Sequence, residues 1–405
     1  MGIPPEVQKE ILKVRQDNPH LTANLSDDEI ILLLQQSDLT MEHGIPMTFH
    51  VRRPGGSQRE ALYPDPNSIS AQECGAYGEQ LLVAGNWFDA ERYFFAQLEK
   101  GRQESDLNQQ AMAYSMLGNI YCFRGNLNQA LELYHHAMVL AKQTNNIPLG
   151  GMICNDIGEL YRRQGDYPQA IKFYNRSLDV ALRTGNENSL AAIYGNIGIV
   201  YKNQGDFEQA RQAYESSLEY SLRQGNERLT ANQYGNLGVI YELEEDFTKA
   251  IEMHRKDLDI CIRSGNQGGI ANAYGNLGVI QMELSNFSEA RDYFNKALEI
   301  MQQMSNEPGI ALVNGNIGNL YNKTGEVGQA KKYYERTIKA FDRMGDKHNA
   351  ARFHNNLGLL YFEHSQPAQA QEHLSKAREL FESIGDDLGM QKVEAELKRM
   401  DDQQG

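Results

Sequence analysis

Apolar residues along most of this chain recur at the spacing of an amphipathic helix. Between residues 191 and 201 the apolar and small side chains fall at i, i+3, i+6, i+7 and i+10, which is one face of a helix with 3.6 residues per turn. These residues are Ala191, Tyr194, Ile197, Gly198 and Tyr201. A second apolar face follows and consists of Phe207, Ala210, Tyr214 and Leu218. The pattern predicts two amphipathic helices joined by a tight turn.

This helix pair repeats every 40 residues, without insertion or deletion. One column of the repeat is glycine: Gly78, Gly118, Gly158, Gly198, Gly238, Gly278, Gly318 and Gly358. Another is alanine: Ala90, Ala130, Ala170, Ala210, Ala250, Ala290, Ala330 and Ala370. Since each pair can bury its apolar face only against its neighbours, residues 71–390 are predicted to form one continuous stack of eight pairs.

Turn residues and prolines agree with this division. Glycine followed by asparagine or aspartate, as in Gly125-Asn126 and Gly165-Asp166, predicts the end of one helix and the cap of the next. Four prolines fall in the predicted first turn of a helix, where proline is best tolerated: Pro148, Pro168, Pro308 and Pro367.

The motif aromatic-x-x-Leu-Gly-x-x-Tyr, followed by Ala-x-x-x-aromatic in the next helix, resembles the tetratricopeptide repeat. One copy consists of Tyr114, Leu117, Gly118, Tyr121, Ala130 and Tyr134. The period of 40 is longer than the common period of about 34. It is similar to the class found in kinesin light chains, Pins-type spindle-orientation adaptors and bacterial signalling-peptide receptors. The resemblance implies an all-α fold, a right-handed α-solenoid of eight hairpins whose first helices line a concave groove.

The two ends of the chain lack the repeat. Residues 1–70 read as two short helices followed by a proline-rich segment, which predicts an N-terminal cap or linker. An alternative is that residues 41–70 lie in the groove as an internal ligand. Residues 391–405 predict a single C-terminal capping helix and tail.

One column of the first helices carries asparagine in five consecutive repeats. With the recurrent glycine numbered position 8, position 6 lies opposite the core stripe and holds Asn196, Asn236, Asn276, Asn316 and Asn356. An amide side chain donates and accepts hydrogen bonds, so such a row can bind the peptide units of an extended segment. The array of O-GlcNAc transferase looks similar in this respect. Position 5 is glycine in four of these repeats, which we interpret as close approach of a ligand backbone; packing against the adjacent helix is the alternative.

The columns beside the asparagines predict the chemistry of the ligand. Apolar side chains occupy the middle of the predicted groove: Ile199, Val239, Val279 and Leu243. Polar and charged side chains accompany them: Arg163, Asn203, Asn319, Lys323 and Arg352. We therefore expect an extended segment with an apolar side chain over repeats four to six and charged residues outside. The alternative is that the aliphatic residues pack between adjacent helices.

Composition excludes several other functions. With 39 Lys+Arg against 54 Asp+Glu, the formal net charge of −15 argues against nucleic acid as a partner. No apolar run approaches the ~20 residues that span a bilayer, and the first residues lack the pattern of a signal peptide, so we expect a cytoplasmic protein without membrane insertion. The cysteines Cys74, Cys122, Cys154 and Cys261 have no metal-ligand spacing, which predicts buried thiols and no metal.

No pattern indicates catalysis. His135 and His136 diverge by about 100° on a helix, and no phosphate loop or nucleophile motif occurs. We predict a non-enzymatic scaffold, without cofactor, that binds an extended peptide or protein segment. Two alternatives remain: a regulatory sensor of a small signalling peptide, and a self-assembling homo-oligomer.

Overall fold

The structure, a computed structural model, describes residues 63–404. The chain divides into two compact units, Met1–Ile69 and Ser70–Gly405. The two short helices predicted in the N-terminal segment, and most of residues 41–70, lie outside the described residues. The described part of the first unit contains one turn of 3₁₀ helix, Pro66–Ser68.

The second unit consists of seventeen α-helices, and residues 63–404 contain no strand. The first helices of the eight pairs are α1 (Ala71–Val83), α3 (Leu107–Phe123), α5 (Ile147–Arg163), α7 (Glu187–Gln204), α9 (Glu227–Leu243), α11 (Gln267–Glu283), α13 (Glu307–Lys323) and α15 (Lys347–Glu363). The second helices are α2 (Trp87–Gln103), α4 (Leu127–Gln143), α6 (Tyr167–Thr184), α8 (Phe207–Arg223), α10 (Phe247–Ser264), α12 (Phe287–Gln303), α14 (Val327–Met344) and α16 (Pro367–Ile384). The final helix, α17 (Asp387–Gln404), packs on α16.

The repeated glycine and alanine columns form the centre of each pair. A Cβ atom on Gly118 would lie 2.6 Å from Cε1 of Tyr134, so only glycine lets the aromatic ring of the second helix pack on the first. Ala130 and its equivalents in the second helices are fully buried. The sequence prediction that these columns form the core is therefore confirmed.

Helix ends follow the predicted turn chemistry. Gly125 and Gly165 have φ of 83° and 78°, and the side chain of Asp166 accepts a hydrogen bond from the backbone N–H of Gln169. Glu245 adopts the same left-handed conformation, with φ of 59°, at a position that is glycine in most repeats. The four prolines of the repeats lie in the first turns of α5, α6, α13 and α16, as predicted.

The two helices of each pair belong to different layers of the array. Each first helix contacts the first helix of the next pair as well as its own partner, whereas the described second helices make no comparable contacts with one another. The layer of first helices is consequently the inner and more closely packed one. The predicted all-α solenoid is confirmed, and any ligand groove follows its inner layer, which we call the inner face.

Candidate functional site

The five predicted asparagines all lie half-buried on the inner face. Three of them bond to neighbours. Asn196 donates to Oδ1 of Asn155 at 3.0 Å and Asn356 to Oδ1 of Asn319 at 3.1 Å, both bonds joining adjacent repeats. Asn236 donates to Gln233 within its own helix at 3.3 Å. The asparagine column therefore contributes to the contacts between repeats, a role that the sequence interpretation did not assign to it.

Asn276 and Asn316 differ from the other three. Within residues 63–404 neither side chain makes a hydrogen bond to protein, although both are half-buried. Each amide retains two N–H donors and a carbonyl acceptor. Among the five predicted asparagines, these two are the ones whose side chains have no hydrogen-bond partner within the described residues.

The glycines at position 5 do not share one cause. A Cβ on Gly315 would collide with the ring of Phe353, and one on Gly195 would lie 3.1 Å from Nε2 of Gln233. At these two positions packing against the adjacent first helix, the alternative left open above, explains the glycine. A Cβ atom on Gly275 would have no atom within 4 Å, so packing does not explain the glycine at this position.

The aliphatic side chains near the asparagines also divide. Ile199 and Val279 are half-buried and pack against core clusters, which is the alternative that their sequence pattern left open. Val239 is half-buried, and Leu243, at the end of α9, is 50% exposed. Leu243 is the predicted apolar contact that is most accessible to a ligand.

The predicted charged positions lie at the edge of the inner face. Lys323 and Glu283, which are equivalent residues of adjacent repeats, form an ion pair of 2.7 Å. Arg352 donates to Asn349 at 3.1 Å, and Asn203 is exposed. Arg163 lies over the ring of Phe123, which stacks in turn on Trp87 with ring centroids 4.0 Å apart.

Sequence reasoning missed a hydrogen bond between position 9 of the first helix and the aromatic residue of the second helix. The hydroxyl of Tyr134 donates to Asn119 at 2.6 Å, and that of Tyr334 donates to Asn319 at 2.7 Å. Asn319 thus accepts from both Tyr334 and Asn356, so its carbonyl oxygen is already used. The constant spacing of 15 residues between the two columns is the signal that could have revealed this pairing.

Repeat three places a compact charge cluster at the same location. The carboxylate of Glu159 accepts from Nε of Arg162 at 2.7 Å, from Nε of Arg163 at 2.8 Å and from the hydroxyl of Tyr174 at 3.3 Å. Burial opposes ionisation of Glu159, but the hydrogen bonds and charges of the two arginines outweigh it and lower its pKa. One carboxylate therefore serves two cations and a phenol.

Repeat four has the equivalent cation and phenol but no carboxylate. Its position 9 is Ile199, and the buried hydroxyl of Tyr214 has no hydrogen-bond partner. Lys202 is half-buried and forms no ion pair with the described residues. Burial and the nearby charge of Arg162 both lower the pKa of Lys202.

A pocket of about 150 Å³ opens between α5, α6 and α7. Asn155 and Asp156 contribute to its wall from α5, and Ala192 and Ile193 from α7. Burial raises the pKa of Asp156 to about 6, although hydrogen bonds from Ser115, Asn119 and Asn155 favour its ionised form. Asp156 occupies position 6 of repeat three, where the following five repeats have asparagine.

Residues 63–404 lack the arrangements typical of metal sites and of membrane-spanning helices. No cluster of three or more His, Cys, Asp or Glu side chains within residues 63–404 has the arrangement of a metal site. No helix in this part of the chain has both the length and the hydropathy needed to cross a bilayer.

The array is similar in fold to several solved structures. The apo quorum sensor NprR from B. thuringiensis has a TM-score of 0.63 and 16% identity, over 93% of this chain and 99% of that one. The apo form of RapI has a TM-score of 0.60 and 15% identity, over 68% and 99% of the two chains. The Rap conjugation gene regulator of plasmid pLS20, in complex with the Phr* peptide, has a TM-score of 0.56 and 12% identity, over 80% and 97%. These TM-scores show a shared fold.

Family assignment comes from the sequence itself. No curated protein matches the chain. The tetratricopeptide repeat model matches residues 152–222, 229–303 and 309–383, and a second model of the same repeat matches residues 110–147. Together these segments cover more than half of the chain, at the positions where the structure has helix pairs. The chain belongs to the tetratricopeptide repeat family.

Proposed function

We propose that this protein is a non-enzymatic interaction scaffold that binds an extended peptide segment on its inner face. The observation that carries the proposal is the pair of half-buried amides, Asn276 and Asn316, which are 40 residues apart and have no hydrogen-bond partner within the described chain. Equivalent positions in adjacent repeats present both amides to the same side of the array. A ligand backbone offers the alternating N–H and C=O groups that such amides bind.

Hydrogen bonds to these amides contribute only part of the affinity. Two amide contacts at about 0.5–1.5 kcal/mol each give about 1–3 kcal/mol, whereas micromolar binding needs about 8 kcal/mol. Apolar contacts supply the remainder in this proposal, with Val239 and the half-exposed Leu243 as the ligand-facing side chains. Ile199 and Val279 serve the protein core instead.

The experiment first selects short linear peptides that bind the protein from a display library. It then compares the affinities of these peptides for two double variants. Asn276→Ala with Asn316→Ala should weaken the selected peptides roughly 5- to 150-fold, corresponding to about 1–3 kcal/mol. The control, Asn175→Ala with Asn295→Ala, changes exposed amides of the second helices and should leave affinity unchanged. Equal affinities for both variants would contradict the proposal.

A second candidate function is the sensing of a small signalling peptide. The Rap regulator of plasmid pLS20 has this fold and was solved in complex with the Phr* peptide. Sensing uses the same inner face but requires that binding change the pitch of the solenoid. Small-angle scattering with and without a selected peptide separates the two functions, since a scaffold keeps its radius of gyration. Light scattering of the free chain tests homo-oligomerisation.

A further inference from the structure

We propose that repeat four binds a carboxylate of the partner at Lys202 and Tyr214, with Arg162 of repeat three beside them. The chemistry is that of an aspartate or glutamate side chain or of a C-terminal carboxylate. This inference rests on the proposed use of the inner face by a peptide. It adds an ionic contact to the uncharged hydrogen bonds of the asparagine column.

Repeat three provides the template for the bound state. There, the carboxylate of Glu159 bonds to the cation at position 12, Arg162, and to the phenol of the second helix, Tyr174. Position 12 and the second-helix ring are also in contact in repeat five, where Nε2 of His254 lies 2.7 Å from Glu242. Lys202 and Tyr214 hold the same two positions of repeat four and are also 12 residues apart.

Repeat four retains the cation and the phenol but lacks the acceptor that would join them. Ile199 replaces the carboxylate, and it packs against Tyr214 and its apolar neighbours instead. The Tyr214 hydroxyl is left buried and unbonded, a state that costs free energy in a folded protein. A ligand carboxylate beside Ile199 would supply the acceptor that Glu159 supplies in repeat three.

The surrounding charges favour an anion at this location. Arg162, Arg163 and Lys202 carry three positive charges, whereas the carboxyl groups of the same cluster are two, Glu159 and Asp156. Arg162 is also close enough to act on both Lys202 and Tyr214. An unneutralised, half-buried ammonium gains from an incoming carboxylate more than an exposed lysine does, because water screens it less.

The test uses small probes on the full chain, with lysines reductively methylated by ¹³C-formaldehyde so that each keeps its charge. N-acetyl-glutamate amide tests a side-chain carboxylate, N-acetyl-alanine a C-terminal one, and N-acetyl-glutamine amide is the neutral control. We expect one of the two acids to shift the Lys202 resonance and raise its pKa. The neutral probe should leave the Lys202 resonance unchanged, and neither acid should shift that of Lys256, a lysine already paired with Glu252.

Variants separate this site from general attraction. Ile199→Glu installs the carboxylate of repeat three and should weaken probe binding at least about tenfold, since the site is then filled. Lys202→Met should do the same, whereas Lys202→Arg should retain binding. Equal shifts from the neutral probe, or unchanged acid binding in Ile199→Glu, would overturn the inference. If the probes bind but no library peptide does, the carboxylate site stands and the peptide-binding function fails.

Discussion

Repeats three and four are both helix pairs, but their residues at positions 9 and 12 form different contacts. In repeat three, Glu159 neutralises Arg162 and accepts from Tyr174, so the cation and the phenol both have a partner within the repeat. In repeat four, Ile199 stands at the position of Glu159 and leaves Lys202 unpaired and the Tyr214 hydroxyl unbonded. The first arrangement stabilises the fold. The second leaves a cation and a hydroxyl able to bind a ligand.

This difference shows how a repeat protein acquires specificity without changing its architecture. Core positions are nearly invariant along the array, because each pair must pack on the next. Positions 9 and 12 lie at the edge of the core, where a residue can bond to the second helix or face a ligand. A single change from carboxylate to isoleucine moves this location from one role to the other.

The largest effect is expected when repeat three is made to resemble repeat four. Glu159→Ile removes the partner of two arginines and a tyrosine, all of them less than two-fifths exposed. We expect the free energy of unfolding to fall by about 2 kcal/mol, which is less than for a fully buried pair because water still reaches these groups. Guanidinium unfolding measures the change, and hydrogen exchange should place the lost protection in α5 and α6.

The matched control is Glu79→Ile. Glu79 holds position 9 of repeat one, but it is exposed and the second-helix ring there is Phe94, which has no hydroxyl. Its substitution should cost less than about 0.5 kcal/mol. A similar cost at the two positions would show that Glu159 is no more than a surface charge.

Asp156→Asn gives repeat three the position-6 residue of repeat four and should stabilise the protein above neutral pH. Because burial raises the pKa of Asp156 to about 6, the folded state holds its proton more tightly than the unfolded chain. Its contribution to stability is therefore fully present below about pH 4 and is lost as the pH rises through 6. We expect a gain of about 1–2 kcal/mol at pH 8, discounted for partial exposure, and none at pH 4.

The measurement is the unfolding midpoint of both proteins across this pH range. Asn196→Asp is the reciprocal change: it places a carboxylate at the equivalent site of repeat four and should lose stability over the same window. A pH-independent gain from Asp156→Asn would mean that altered hydrogen bonding, rather than ionisation, is responsible.

Much of the architecture follows from sequence because it depends on a strict period. The columns of Gly118 and Ala130 recur every 40 residues, and a helix pair that lacks neighbours cannot bury them. The site depends instead on which side chains bond to each other. A column of asparagines looks uniform in sequence, yet Asn196 bonds across repeats and Asn276 does not. That distinction depends on residue 155 of the neighbouring helix, which no period within the column reveals.

The smallest expected effect is the difference in stability between Tyr174→Phe and Tyr214→Phe. Tyr174→Phe removes a hydroxyl that donates to a carboxylate and should cost about 1 kcal/mol. Tyr214→Phe removes a hydroxyl without a partner, keeps the ring on Gly198, and should be neutral or slightly stabilising in the free protein. With a bound carboxylate Tyr214→Phe also becomes destabilising, because Tyr214 then loses a ligand contact, whereas the cost of Tyr174→Phe stays the same. Denaturation midpoints measured with and without N-acetyl-glutamate amide and N-acetyl-alanine test both statements. A cost of 1 kcal/mol for Tyr214→Phe in the free chain would mean that its hydroxyl has a partner already, and repeat four would then be as self-contained as repeat three.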